Sequence, residues 1–255
     1  MSGPDRSLVI VAGGRSRRLG RNKPLVEIGG RTVLSRILEA TADIADVVLA
    51  VREVPPFRRA LAAQGWESGA ERAGRPRGSV ALRHPKGRAL RVVPDPVPDL
   101  GPLAGVASGL AAADGAICVV LAGDLPFVTP HLVDRLSREL ASVAESDALD
   151  APDAVVPRAR GRAQPLCAAY RRDVGRLAAR LVARGGARGD SSPSSSPSMM
   201  SFLERLRVRY VTTEDLAGAG DLETMVRGVD SRADLDWAVR RASRPDGFPF
   251  EPHTP

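Results

Sequence analysis

Apolar residues along this chain follow two spacings in turn. Short unbroken runs, "SLVIVAG" (7–13), "DVVLAV" (46–51), "LRVVPD" (90–95) and "AICVVLAGD" (116–124), read as buried strands. Between and after them, "TVLSRILEATA" (32–42), a stretch near 56–64, "LAGVASGLAAA" (103–113) and "PHLVDRLSREL" (130–140) carry the spacing of helices that bury one face. Thr129-Pro130 marks a helix start, a capping hydroxyl followed by a ring already fixed at helical φ. Alternating strands and helices, with strands apolar on both faces, predict an α/β fold built on a doubly wound, mostly parallel sheet.

The C-terminal part is mixed. "DAVVPRARGRAQPLCAAYR" (153–171) reads as two strands joined by a basic, Gly-containing turn, and a helix follows over 173–184. The low-complexity "GGARGDSSPSSSPSMM" (185–200) is expected to be mobile. A helix near 201–206, a strand "RVRYVTT" (207–213) and a last helix around 231–241 come next. The expected organisation is a single domain over 1–243, with a disordered tail over 244–255.

Composition narrows the class. Hydrophobic content of 43% is ordinary for a globular chain. The longest apolar run, 116–123, falls far short of the ~20 residues of a membrane span. The first apolar stretch is too short for a secretory signal, so no membrane association and a cytoplasmic location are expected. Cys118 and Cys167 have no CxxC partner and read as small core residues. The net charge of +7 comes with only 4% aromatic residues, so stacking platforms for single strands are scarce. The basic residues are dispersed apart from 71–91, and no nucleic-acid partner is expected.

Among 37 Lys+Arg there are two lysines, Lys23 and Lys86, and one of them stands in "VIVAGGRSRRLGRNKP" (9–24). A Gly-rich turn leaving the first parallel strand is where such sheets bind phosphates. Glycines let backbone N–H groups approach the anion, and arginines supply forked donors. Neither the Walker spacing nor G-x-G-x-x-G fits this loop. A solvated basic loop is the plain alternative, and the retained lysine argues against it, because an ammonium and a guanidinium are not interchangeable. Asp95 and Asp124 follow two other strands, beside "GPLAG" (101–105) and "GDLPFV" (123–128). Each alone could be a turn or cap residue; together on one edge of a sheet they make a site for a metal-bound nucleotide.

"VAGGRSRRLGRNKPLVEIGG", "GPLAGVASGL", "GDLPFV" and "AQPLCAAYRRDV" together resemble the molybdenum cofactor guanylyltransferases of the nucleotidyltransferase superfamily. The likeness covers nearly the whole chain except insertions near 67–89 and 187–198 and the tail. It implies a Rossmann-like nucleotidyltransferase fold. It also implies that the backbone of Val11, Ala12, Gly13 and Gly14 lies against guanine and ribose, Lys23 against the phosphates, and Arg17 and Arg18 against the triphosphate. Asp95 would face the nucleoside and Asp124 would hold Mg²⁺. The chain departs from the family pattern at Val51, where Asn is often found. It departs again at Gly228-Val229-Asp230, where Asn-x-Asn is expected.

The implied reaction is transfer of GMP from GTP onto the phosphate of molybdopterin. Transient contact with other molybdenum cofactor proteins is a further implication. Two rivals remain: a cytidylyltransferase of the same fold, and a non-catalytic basic protein that binds nucleotide or RNA. Among relatives Ala-Ala-Gly in the first loop goes with CTP, whereas this chain has Ala12-Gly13-Gly14; the two acidic residues speak against the non-catalytic rival. Asp230 has two readings, a second metal ligand or, with Ser231, the cap of the last helix. The three histidines, His84, His131 and His253, have no evident role.

Overall fold

The computed structural model describes residues 5–14, 20, 22–69, 77–95, 100–144, 151–187, 198–216 and 218–244. The first strand, β1 (Arg6–Ala12), sends Leu8 and Ile10 into one core and Val9 and Val11 into the other, which is why its sequence is apolar without interruption. A 3₁₀ turn (Lys23–Leu25) and a small hairpin, β2 (Glu27–Ile28) and β3 (Arg31–Thr32), lead into α1 (Val33–Ala40). Then come β4 (Asp46–Val51), α2 (Val54–Ala62), β5 (Glu67–Ser68), β6 (Val80–Arg83), β7 (Ala89–Pro94), α3 (Pro102–Ala112), β8 (Ile117–Ala122) and α4 (Pro130–Ala144). The remainder is β9 (Ala154–Ala159), β10 (Arg162–Ala163), β11 (Cys167–Arg171), α5 (Gly175–Ala187), α6 (Met199–Leu203), β12 (Val208–Val211), α7 (Leu222–Met225) and α8 (Arg232–Ala242).

Among the described residues these strands, apart from the β2–β3 hairpin, make one large sheet in the order β10-β9-β11-β8-β1-β4-β7-β6-β5, with β12 parallel to β9. Its centre, β7-β4-β1-β8, is parallel. Leu34 and Ile37 of α1, Phe57 and Leu61 of α2 and Leu132 and Leu136 of α4 pack on one face. Leu103, Val106 and Leu110 of α3 and Val182 of α5 pack on the other. The sheet is doubly wound, and its strand order reverses between β1 and β8.

The starts of the parallel strands are joined by buried polar groups. Asp46 accepts from Arg91 and Ser7 side chains and, at 2.9 Å, from Asp114 N. Arg91 also donates to Asp114 Oδ2 at 2.6 Å, and Gly115 N donates to Ser7 Oγ at 2.7 Å.

Several expectations change. The region 153–171 holds three strands, because Arg160 (φ 50°) and Gly161 (φ 71°) form a two-residue hairpin turn that turns the chain back into the short β10 before β11. The stretch expected to be mobile, 185–200, is helical at both ends: α5 runs to Ala187, and α6 starts at Met199 behind a capping box of Ser198 and Ser201. Its residues 188–197, and 245–255 of the tail, lie outside the described residues. The region near 67–89 contributes β5 and β6, which extend the sheet antiparallel beyond β7. Thr129 caps α4 as expected, accepting from Leu132 N at 3.1 Å. Both cysteines are free and buried, and burial pushes their thiols up to about 12. Among the described residues no helix is long and apolar enough to cross a membrane.

Candidate active site

The carboxyl ends of β1 and β8 flank the reversal of strand order, the place where open α/β sheets take ligands. A cleft of about 410 Å³ opens there. Val11, Ala12, Gly13 and Gly14 form one wall, Asp95 and the start of α3 a second, and Gly123 and Asp124 a third. Lys23 and Pro24 reach in from the 3₁₀ turn and Leu166 from the link before β11.

Glycine at 123 lets the lysine arrive. A Cβ there would stand 2.9 Å from Pro24 Cγ and 3.2 Å from Ala12 Cβ, so only glycine allows the 3₁₀ turn to rest on the end of β8. The turn is tied back by Val26 N, which donates to Lys23 O at 3.1 Å, and by Val33 N, which donates to Val26 O at 3.0 Å. Lys23 Nζ then donates to Asp124 Oδ2 at 3.1 Å and to Asp230 Oδ1. Asp230 is carried by the link between α7 and α8, which Val229 N fastens to Asp124 O at 3.0 Å. Gly228 lies against the Asp124 carboxylate, where a Cβ would come within 3.1 Å of Oδ1.

Burial works against the Lys23 ammonium, but the hydrogen bond to Asp230 and the charge of Asp124 together hold its pKa above the ordinary value. Burial raises the Asp124 carboxyl, and Lys23 opposes this only in part. Burial also raises Asp95, to about 6. Ser108 offsets little, since its hydroxyl donates to Ala104 O (3.1 Å) and Gly105 O (3.2 Å). Asp95 Oδ1 is buried without a hydrogen-bond partner, and its Oδ2 crowds the loop so closely that a Cβ on Gly13 would lie 2.1 Å away. An acceptor in this state suits a ligand that brings N–H or O–H donors.

The carboxylates of Asp124 and Asp230 already converge on one cation, the Lys23 ammonium. Among the described residues no group of three or more His, Cys, Asp or Glu is placed to hold a metal. Two hard oxygen donors without a full protein cage are what Mg²⁺ takes when substrate phosphates and water complete its shell. The residues present fit that ion.

The structure thus brings together Val11, Ala12, Gly13, Gly14, Lys23, Asp95 and Asp124, with Asp230 beside them. Arg17 and Arg18 lie outside the described residues. The cap of α8 is Ser231, in a box with Asp234, so Asp230 is not the cap and its carboxylate is turned to Lys23. The Gly101-Pro102 corner of the "GPLAG" turn lines the cleft as its place beside Asp95 implies, whereas nothing in the sequence marks Leu166 for it. Leu166 O accepts from Ala122 N at 2.7 Å, a tertiary contact that no local pattern announces. His84 packs edge-on to Trp66 at 5.1 Å, and neither it nor His131 lines the cleft.

The family model of the MobA-like NTP transferase domain matches residues 8–195. The chain belongs to this family. Membership makes it an enzyme, a nucleotidyltransferase, with the loop, Lys23 and both strand-end aspartates inside the matched region. A probable molybdenum cofactor guanylyltransferase of Pelotomaculum thermopropionicum is 29% identical over 227 residues, covering 89% of this chain and 88% of that protein. One of the same description from Methanosarcina mazei is 32% identical over 170 residues, 66% of this chain and 64% of that protein. The crystal structure of molybdopterin-guanine dinucleotide biosynthesis protein A from Archaeoglobus fulgidus superposes with a TM-score of 0.66 at 22% identity, covering 93% of this chain and 98% of that one. A 2-C-methyl-D-erythritol 4-phosphate cytidylyltransferase from Thermus thermophilus superposes with 0.54 at 21% identity, over 94% and 100%. These superpositions establish the nucleotidyltransferase fold.

Proposed function

We propose that this nucleotidyltransferase transfers GMP from GTP to the phosphate of molybdopterin and releases pyrophosphate. The observation that carries the reading is the Lys23–Asp124–Asp230 cluster at the mouth of the glycine loop, in a chain whose relatives bear that activity in their names. The acceptor phosphate has a second pKa near ~6, so at neutral pH it is already a nucleophile and no side chain need act as general base. One of its oxygens attacks the α-phosphorus of GTP, the bond from that phosphorus to the bridging oxygen breaks, and pyrophosphate leaves with the electron pair.

The protein supplies alignment and charge neutralisation. Gly13 and Gly14 offer backbone N–H groups, and Lys23 places a point charge against the phosphates. Asp124 and Asp230 would hold Mg²⁺, which neutralises phosphate charge when bound. The unpartnered Oδ1 of Asp95 faces the nucleoside, and guanine offers adjacent N–H donors that cytosine does not match. Arg17 and Arg18 belong on the triphosphate. The continuous sheet supports a single domain over 1–243, and a GTP-consuming biosynthetic step suits the cytoplasm.

Pyrophosphate release measured with each NTP, with and without molybdopterin, tests the proposal. GTP with molybdopterin is expected to exceed CTP and ATP by about ten-fold or more in kcat/KM, at least ~1.4 kcal/mol of discrimination. Equal use of CTP would transfer the reading to a cytidylyltransferase; RNA binding without turnover would remove catalysis.

A further inference from the structure

Three distant stretches of chain meet on a single ammonium group. Lys23 enters from the 3₁₀ turn after the glycine loop, Asp124 from the end of the central strand β8, and Asp230 from the link before α8. Nζ stands 3.1 Å from Asp124 Oδ2 and also donates to Asp230 Oδ1. One positive charge between two negative ones leaves this cluster with an excess negative charge. A divalent ion would neutralise it more fully than the ammonium does. The ammonium and a divalent ion compete for these carboxylate oxygens, because the two cations repel at such separations.

We infer that Lys23 is an internal counter-ion, holding the two carboxylates together in the nucleotide-free protein and blocking a divalent metal until nucleotide draws the lysine away. The inference rests on the reading above that this cluster serves a metal-bound nucleotide. A triphosphate supplies the alternative anionic partner that Lys23 needs to leave. The metal enters the vacated oxygens together with it. Lysine suits such a transfer, since its point charge rides on a flexible stem and three rotatable donors, whereas arginine's planar fork favours a fixed pair. The 61% exposure of the Asp230 side chain leaves that partner open at the rim, where phosphates would approach. Metal and nucleotide are thereby loaded as one unit, and free Mg²⁺ does not accumulate in the empty site.

Mn²⁺ titration of the nucleotide-free full-length protein, read by electron paramagnetic resonance and by thermal melting, tests this. Lys23→Met should bind Mn²⁺ at least ten-fold more tightly than wild type. Without metal it should melt at a lower temperature, its carboxylates unpaired, and Mn²⁺ should restore the lost degrees. The wild-type melting temperature should not respond to Mn²⁺ alone. Adding Asp230→Asn to Lys23→Met should abolish the gain in affinity, which separates a vacated site from a general change of charge. Lys23→Gln is the second variant should the methionine form fold poorly. Equal or weaker Mn²⁺ binding by both Lys23 variants would overturn the inference, as would tight Mn²⁺ binding by wild type without nucleotide. Wild-type protein that binds no GTP in a separate titration would overturn the proposed function instead, and the nucleotide-free Mn²⁺ comparison stands apart from that result.

Discussion

With Oδ1 buried and unbonded, the Asp95 carboxyl is raised from its ordinary 3.8 to about 6, so its charged form destabilises the nucleotide-free fold. Below about pH 4 the group is protonated in both folded and unfolded chains and the penalty is absent. The penalty grows as the unfolded chain ionises first, between about pH 4 and 6, and is complete above that, on the order of 2–3 kcal/mol. Asp95→Asn should therefore raise the melting temperature above pH 7 and leave it unchanged near pH 4, as a pH series of thermal melts would register. The same variant should bind GTP more weakly, and wild-type GTP affinity should itself decline as pH falls through about 6. At the neighbouring lysine, Lys23→Arg should lose nearly as much kcat as Lys23→Ala, because a planar fork misplaces the charge that the ammonium sets against the phosphates. Wild-type turnover in the arginine variant would detach Lys23 from the phosphates. Lys23 stood out in the sequence because arginine is used almost everywhere else. Its contact with Asp230 did not, since 207 positions separate the two and no local pattern spans that distance.

Helix α3 shows how closely packing dictates composition. Gly105 and Gly109 lie on one face of it, four residues apart. A Cβ on Gly109 would stand 2.2 Å from Val9 Cγ1, and one on Gly105 would stand 2.7 Å from Val11 Cγ1. Alanine ordinarily favours a helix over glycine by about 1 kcal/mol. Here Gly109→Ala should still destabilise by about 1–3 kcal/mol, because it pushes α3 off β1; urea denaturation would give the value. Elements with a strong period or an unbroken apolar run are legible in the sequence alone: β1, β4, β8, α1 and α4 fall where the pattern puts them. β2, β3, β5 and β10 are two residues each and α7 is four, too short to display a period. Pairing with a neighbouring strand makes β2, β3, β5 and β10, as in the hairpin turned by Arg160 and Gly161. The Ser198 cap was hidden for another reason: its serine sits at the end of a Ser/Pro run in which one hydroxyl looks like the next.

The central sheet divides its labour between two ends. At the starts of the strands the buried Arg91–Asp46 pair, with Ser7 and Asp114, holds β1, β4 and β7 in register, while the cleft lies at the opposite ends. Asp46→Ala would leave a buried guanidinium without its main partner and should cost about 3–5 kcal/mol in a denaturation experiment. The fraction that remains folded should keep its KM for GTP, since no residue of that network touches the cleft. Fold class followed from strand–helix alternation, and Asp95 and Asp124 were placed by where their strands end. The C-terminal contribution was harder to foresee, because Asp230 could equally have been a cap until Ser231 was seen in that role. That contribution also sets an order in time. Asp124 is translated about a hundred residues before Asp230, a lag of roughly 5–20 s at typical synthesis rates of about 5–20 residues per second, and Lys23 precedes Asp230 by about twice that interval. A ribosome paused after β11 would present a chain able to pair β1, β4, β7 and β8, yet lacking the acidic group that closes round the lysine; the protein acquires its sheet first and its cation grip only as the last helix emerges.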